Sequence, residues 1–161
     1  LNTAYHALQH LKGFDVYENH IKTGFLNVVK NTNLKGRYQV LEENPKIICD
    51  TAHNQEGLIQ VTQQLQTENY DNLHFVLGVV NDKQLGDILT LFPKDATYYF
   101  SKPNVPRGLS EIALQKKAKI YNLEGQVFSS VKKALIKAKS NAKENDLIYV
   151  GGSTFVVAEV I

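Results

Sequence analysis

The chain has 161 residues, 43% of them hydrophobic and 21% charged, which is typical of a globular protein with a buried core. A net charge of +2 and the lack of any apolar run near the ~18 residues of a membrane span exclude an obvious nucleic-acid or membrane partner. A single cysteine, Cys49, excludes an internal disulfide and suits a reducing compartment, so we expect a cytoplasmic protein.

The first 36 residues predict two helices and a linker. Apolar side chains recur at helical spacing over residues 2–11 and again over about 18–28. Residues 30–36, with the sequence KNTNLKG, are polar and rich in turn formers, which predicts a linker or domain boundary. The chain contains no methionine and starts at Leu1, so we expect it to be a fragment of a longer protein.

After this linker, short apolar strands alternate with helices. RYQVLE and KIICD are two strands separated by ENP, a spacing that predicts a hairpin. The elements that follow are predicted as helix 55–66, strand 73–80, helix 83–92, strand 96–100, helix 109–118, strand 119–122, helix 127–142, strand 146–150 and an apolar terminal segment 153–161. This order predicts an α/β, Rossmann-like fold: a mostly parallel sheet with one antiparallel edge strand and helices on both faces.

Polar and glycine residues gather where the predicted strands end. In open parallel sheets, ligands bind beyond the carboxyl ends of the strands, so this edge is the predicted site. The four segments found there are Asp50-Thr51-Ala52-His53-Asn54, Asn81-Asp82-Lys83, Ser101-Lys102-Pro103 and Gly151-Gly152-Ser153.

The first of these segments leads from strand 46–50 into a helix. A carboxylate such as Asp50 at the end of a buried strand can accept hydrogen bonds from ribose hydroxyls. Asn54 is predicted to cap the helix, and His53 lies near a helix N-terminus, whose dipole favours anions. The spacing fits a second interpretation equally well, in which Asp50 and Asn54 only cap the helix and His53 is a surface imidazole.

Three other motifs favour simple structural roles. GGS at 151–153 could cradle a phosphate with its backbone amides, but it is not GxGxxG, and a plain turn fits better. The lysines of residues 132–143 alternate with Ala and Leu at helical spacing, which favours a solvated helix face. His6 and His10 are four residues apart but have no carboxylate or cysteine nearby, so we expect no metal site in this chain.

The stretch GRYQVLEENPKIICDTAHNQEG, residues 36–57, resembles the start of the C-terminal domain of the folylpolyglutamate synthase/dihydrofolate synthase family, within the Mur ligase superfamily. The family pattern is Gly-Arg, a strand, a turn, and a strand ending Asp-Gly-Ala-His-Asn-Pro. DLIYVGGSTFVVAEVI at 146–161 is similar to the family's last strand, Gly-Ser loop and closing helix. VNDK at 80–83 and PRGL at 106–109 fall where the family carries similar segments, and NTAYHAL at 2–8 resembles a helix that ends its central ATPase domain.

The resemblance implies two parts: residues 1–35 as the tail of the central ATPase domain and the interdomain linker, and 36–161 as the C-terminal ligase domain. It also implies an ATP-dependent ligase of the cytoplasm, active when full length, that adds L-glutamate to a folate or pteroate carboxylate through an acyl phosphate. ATP and Mg are implied, with the Mg ligands in the central domain. No G-x-x-x-x-G-K-[ST] motif occurs in this chain, so we expect the chain alone to be inactive. We also expect the full-length enzyme to be a monomer.

Matching motifs carry the family's site residues onto this chain. Asn2 and Asp50 would hold the adenosine, and Arg37 would reach the phosphates with a planar donor fork. His53 and Ser153 would line the crevice where acyl phosphate and glutamate meet, which makes Arg37, His53 and Ser153 the candidate catalytic residues. Two alternatives stay open: a Mur-type UDP-N-acetylmuramoyl-peptide ligase and a non-catalytic nucleotide-binding module.

Overall fold

The computed structural model describes residues 2–81 and 85–161, and the chain divides into two compact units, residues 1–35 and 36–161. The first unit contains helices α1 (Asn2–Gln9), α2 (Glu18–Leu26) and α3 (Val28–Thr32). The single helix predicted over 18–28 is broken at Asn27, whose side-chain amide donates to the Thr23 carbonyl at 2.9 Å. Such side-chain bonds to the backbone compete with helix continuation.

The second unit is built on a six-stranded sheet with the strand order β1-β2-β6-β3-β4-β5. Only the pairing of β1 with β2 is antiparallel, and every other neighbouring pair is parallel. This confirms the predicted mostly parallel sheet with one antiparallel edge strand. The strands are β1 Gln39–Glu43, β2 Lys46–Asp50, β3 Leu73–Leu77, β4 Thr97–Ser101, β5 Gly125–Phe128 and β6 Leu147–Gly151.

Helices cover both faces of this sheet, as predicted. The helices are α4 Gln55–Leu65, α5 Leu85–Leu89, α6 Glu111–Lys119, α7 Val131–Asn141 and α8 Thr154–Val157. Side chains of a strand alternate between the two faces, so Phe75 packs with α4, α5 and α6 while its neighbour Val76 packs with α7 and α8. The two apolar cores therefore lie on opposite sides of strands that are buried throughout, which is usual for parallel sheets.

The order of the strands in the sheet places the carboxyl ends of β2, β6 and β3 side by side. β6, the last strand, lies between β2 and β3, with α4 on one face and α7 on the other. In register, Asp50 is paired with Gly151, and Gly151 with Leu77. Segments that are about 100 residues apart in the chain are thus brought to one edge of the sheet.

The prediction of a strand at residues 119–122 is wrong. These residues end α6 in a turn, where Tyr121 N–H donates to the Ala118 carbonyl at 2.9 Å and Asn122 has a φ of +60°. The edge strand is β5 instead, because Gly125 can lie against β4, where a Cβ would be 1.9 Å from the Tyr98 carbonyl oxygen. The apolar Ile120 that suggested a strand is 76% exposed.

Other boundaries differ from the prediction by a few residues. The strand predicted over 73–80 ends at Leu77, and the helix predicted over 127–142 begins at Val131 after its N-cap, Ser130. Asp82 and Lys83, and with them the start of the helix predicted over 83–92, lie outside the described residues. No helix in the described ranges has the length and apolar character needed to cross a bilayer.

A buried polar network joins the amino ends of β3 and β6 to Tyr99 of β4, away from the predicted site. The imidazole of His74 lies 2.9 Å from the Tyr99 hydroxyl and 3.2 Å from Asp146 Oδ2. The Asp146 carboxylate also accepts the backbone N–H groups of Asn72 and Lys143. Burial would raise the pKa of Asp146, but the bonds from Lys143, Asn72 and His74 outweigh it and lower the pKa to about 2.

Candidate functional site

Asp50 ends β2 and is only 6% exposed. Its Oδ1 accepts the N–H of Ala52 at 2.7 Å, and its Oδ2 accepts the N–H of Tyr38 at 2.6 Å. The carboxylate therefore joins two loops, the one that precedes β1 and the one that follows β2. Each oxygen still has a second lone pair, so the two bonds do not exhaust its capacity to accept.

Arg37 lies in the loop that Asp50 binds, between Gly36 and Tyr38. Both neighbours have left-handed backbone, with φ of +71° and +41°. Gly36 is buried, and a Cβ at this position would lie 2.9 Å from Thr51 Cγ2, so the close approach of the two loops requires glycine. The Gly36 carbonyl accepts the N–H of Thr51 at 2.9 Å. The backbone on both sides of Arg37 is thus bound to the loop after β2.

The Arg37 side chain is exposed and forms no ion pair with any residue in the two described ranges. Glu42, an acidic residue of β1 five positions along the chain, is paired with Lys139 instead. An exposed guanidinium with a fixed backbone is suited to bidentate binding of a phosphate or carboxylate.

A pocket of about 280 Å³ opens beside the loop that follows Asp50, beyond the carboxyl ends of β3 and β6. It brings together His53 and Ser153, two of the predicted site residues, with Arg107. Arg37 and Asp50 do not line it. The remaining described lining residues are Val79, Val80, Leu85, Ile88, Gly152, Thr154 and Phe155.

His53 and Ser153 enter the pocket from two helix starts. Asn54 caps α4 as predicted, its Oδ1 accepting the N–H of Gly57 at 3.0 Å, and this places His53 just before the helix. His53 Nδ1 lies 3.0 Å from the Thr51 carbonyl oxygen, so with the proton on Nδ1 the other ring nitrogen can accept a proton. Ser153 caps α8 by accepting the N–H of Phe155 at 3.3 Å, which leaves its hydroxyl proton for a ligand.

Arg107 is a candidate site residue that was not predicted from the sequence. Its carbonyl accepts the N–H of Asn81 at 2.9 Å, and the next residue but one, Leu109, donates to Val79 at 2.9 Å. The guanidinium carbon lies 4.9 Å from the centre of the Phe155 ring, a cation–π contact that holds the side chain at the pocket wall. The available signal was the PRGL segment at 106–109, which was identified only as similar to a family segment.

The remaining predicted site residues give less geometry. Asn2 is the first residue of α1 in the unit of residues 1–35, and its contact with adenosine stays a prediction. Gly152, with a φ of +93°, forms the turn that leads from β6 into α8, as expected for GGS. Within the described ranges, no group of three or more His, Cys, Asp or Glu side chains is placed to hold a metal ion.

Residues 36–154 match the family model described as "Mur ligase, glutamate ligase domain". The chain belongs to this family. Among curated proteins it is 30% identical, over 161 residues, to the dihydrofolate synthase/folylpolyglutamate synthase of Escherichia coli, covering 99% of this chain and 36% of that protein. The chain spans between 16% and 36% of the length of the curated relatives it matches.

Solved structures agree with this assignment. E. coli FolC in complex with ADP, without folate substrate, has a TM-score of 0.84 at 29% identity, covering 98% of this chain and 37% of that one. A bifunctional folylpolyglutamate synthase/dihydrofolate synthase with Mn, AMPPNP and L-glutamate bound has a TM-score of 0.80 at 26% identity, covering 96% and 36%. The chain is therefore similar to about one third of these enzymes.

Proposed function

We propose that the protein to which this chain belongs is an ATP-dependent ligase that adds L-glutamate to the carboxylate of a folate or pteroate. The observation that supports this most is the pocket in which His53, Ser153 and Arg107 meet, in a domain of the glutamate ligase family. The relatives named above carry folate synthase names and bind ADP, AMPPNP, Mn and L-glutamate, which supports the same substrate class.

The reaction requires two steps with different demands. The γ-phosphoryl group of ATP passes to the substrate carboxylate, which forms an acyl phosphate and releases ADP. The amine of glutamate then attacks the acyl carbon, the C–O bond to phosphate breaks, and an amide and inorganic phosphate result. Both steps depend on positioning and on stabilising charge at the phosphoryl oxygens, for which fixed cationic and hydrogen-bond donors are the usual means.

The residues of this domain divide these tasks in our proposal. Arg37 binds the phosphate oxygens with its donor fork, and Asn2 and Asp50 bind the adenosine. Ser153 donates to an oxygen of the acyl phosphate or of glutamate, and His53 can take a proton from the attacking amine. Arg107, held against Phe155 at the pocket wall, binds a carboxylate of the incoming glutamate.

We further propose the setting in which this domain works. Residues 1–35 form the tail of the central ATPase domain and the linker, and that domain supplies the phosphate-binding loop and the magnesium ligands. The enzyme acts as a cytoplasmic monomer without nucleic-acid or membrane partners. The alternative with the same fold is a Mur-type UDP-N-acetylmuramoyl-peptide ligase, which the family match supports equally well, whereas the curated relatives favour the folate substrate.

Amide formation by the full-length protein tests the proposal. The enzyme is incubated with ATP, magnesium and L-glutamate, and with dihydropteroate, tetrahydrofolate or a UDP-muramoyl-peptide as the acceptor. We expect glutamylated product and glutamate-dependent ADP release with at least one folate-type acceptor. Product with the muramoyl-peptide alone would establish the Mur-type alternative, and no product with any acceptor would favour a non-catalytic nucleotide-binding module.

A further inference from the structure

We infer that Asp50 is a positioning residue for Arg37: its carboxylate holds the backbone of the Gly36–Tyr38 loop so that the guanidinium faces the phosphates. The inference adds a positioning residue to the proposed reaction, so the kinetic part of its test rests on the proposed function. The bond that carries it is the one from Tyr38 N–H to Asp50 Oδ2, at 2.6 Å. A hydrogen bond from a backbone amide to an ionised carboxylate is roughly twice as strong as one between neutral groups.

The surroundings of Asp50 indicate that its carboxylate binds backbone N–H groups and not a cationic side chain. The residue is 6% exposed, and in the described ranges it forms no ion pair with a lysine, arginine or histidine. A buried carboxylate without a cationic partner needs hydrogen-bond donors, and here the donors are the N–H groups of Tyr38 and Ala52. One group from each of the two loops is bound, so the carboxylate acts as a link between them.

The loop that carries Arg37 needs such a link. Tyr38 has a φ of +41°, which is unfavourable for a bulky side chain and persists only where the surroundings enforce it. On the other side of Arg37, the backbone conformation of Gly36 is held by its contact with Thr51. Arg37 therefore projects from a tight segment with one anchor before it and one after it. If the Asp50 anchor is lost, Tyr38 can relax to an ordinary φ and the Arg37 side chain changes direction.

This role predicts a result that differs from ribose binding. An adenosine contact stabilises ground state and transition state alike, so its loss raises the KM for ATP independently of Arg37. A positioning role affects kcat only through Arg37, so the two substitutions fail to add in kcat, even if an adenosine contact of Asp50 also raises the KM for ATP when Asp50 is replaced. Displacing a catalytic donor by about 1 Å can cost roughly 100-fold in rate, so the effect on kcat should be measurable.

The test is a double-mutant cycle in the full-length enzyme with Asp50→Asn, Arg37→Ala and both together. The asparagine keeps the side-chain volume but replaces one acceptor oxygen with a donor. We expect Asp50→Asn to lower kcat by about 10-fold or more in the wild-type background and by less than about 2-fold in the Arg37→Ala background. Asp146→Asn, which removes a similarly buried carboxylate at the opposite edge of the sheet, should lower kcat by similar small factors in both backgrounds. Independent effects of Asp50→Asn and Arg37→Ala on kcat, or an effect of Asp50→Asn on the KM for ATP alone, would overturn the inference.

A second readout does not need ligase activity. Hydrogen exchange of the full-length protein is measured for a peptide that contains the Tyr38 amide and for one that contains the Lys143 amide. We expect Asp50→Asn to speed exchange only in the first peptide and Asp146→Asn only in the second. Unchanged exchange at Tyr38 would overturn the inference, even if the wild-type enzyme proves to have no ligase activity. That lack of activity would by itself refute only the proposed function.

Discussion

At the scale of single residues, Arg37 and Arg107 are two exposed guanidinium groups at the carboxyl edge of one sheet, with different surroundings. Arg37 is fixed through its backbone neighbours and its side chain extends into solvent. Arg107 has its side chain packed over Phe155 inside the pocket. This difference predicts different kinetic effects when each is replaced.

Arg37→Ala in the full-length enzyme is expected to lower kcat by about 100- to 1,000-fold, as for loss of one preorganised transition-state donor. Arg37→Lys should recover only part of the activity, because a point charge does not reproduce bidentate phosphate binding. Stability to urea should hardly change, because the side chain is exposed and unpaired in the described ranges. Near-normal turnover of Arg37→Ala at saturating substrate would contradict this role.

Arg107→Ala is expected to raise the KM for glutamate by about 10-fold or more while the KM for ATP stays within about 2-fold, because a carboxylate loses its paired guanidinium. Steady-state kinetics with each substrate varied in turn measures both. Lys102→Ala, which removes an exposed cation outside the pocket after β4, serves as the control and should leave the KM for glutamate unchanged. An equal rise in both KM values would argue against a glutamate-specific contact.

At the scale of elements, the two ends of the strands have different tasks. The carboxyl ends carry the loops of the candidate site, whereas the His74–Asp146 network joins the amino ends of β3 and β6 to Tyr99 of β4. Asp146 is 3% exposed, and its hydrogen bonds connect the start of β6 with the segments before β3 and after α7. This network should therefore contribute to stability and should do so in a pH-dependent way.

Because the pKa of Asp146 is lowered to about 2 from an ordinary 3.8, the folded state prefers the ionised carboxylate. The stabilisation is therefore fully present above about pH 4 and is lost as the pH falls through about 2, and its size is about 2 kcal/mol. Urea unfolding between pH 5 and pH 2 should show a smaller loss of stability for Asp146→Asn than for wild type. Asp87→Asn, at an exposed carboxylate, should follow the wild-type curve. Parallel curves for all three proteins would refute the assignment.

In our proposal, the chain as a whole supplies only one part of a larger site. It lacks the G-x-x-x-x-G-K-[ST] motif that would supply most phosphate contacts. Residues 1–161 alone should therefore bind ATP only weakly, with a Kd in the millimolar range or above. A Kd of about 1 mM corresponds to a binding free energy of about −4 kcal/mol. Isothermal titration calorimetry measures this, with the full-length protein as the control. Micromolar binding by the chain alone would mean that its own residues form a complete nucleotide site.

Much of the fold and part of the site could be predicted from local patterns. The alternation of apolar strands with capped helices predicted the parallel sheet, and the strand ends placed Asp50, His53 and Ser153 at one edge. Their roles as candidate site residues came from the family resemblance. The prediction failed at residues 119–122, where apolar Ile120 and Tyr121 suggested a strand. Strand formation depends on a neighbouring strand, and in the structure it is the Gly125 segment that pairs with β4, where a Cβ at residue 125 would clash with the Tyr98 carbonyl.

The class of fold, the sheet edge that carries the candidate site and the types of side chain found there could be predicted from the sequence. These depend on strand and helix periodicity, on helix caps and on short motifs, all of which are local. Two contacts are visible only in the folded chain: Arg107 joins His53 and Ser153 in one pocket, and Asp50 binds the loop of Arg37. Both contacts join segments far apart in the chain, because the pairing of β6 between β2 and β3 sets their distance, and no local pattern encodes that pairing.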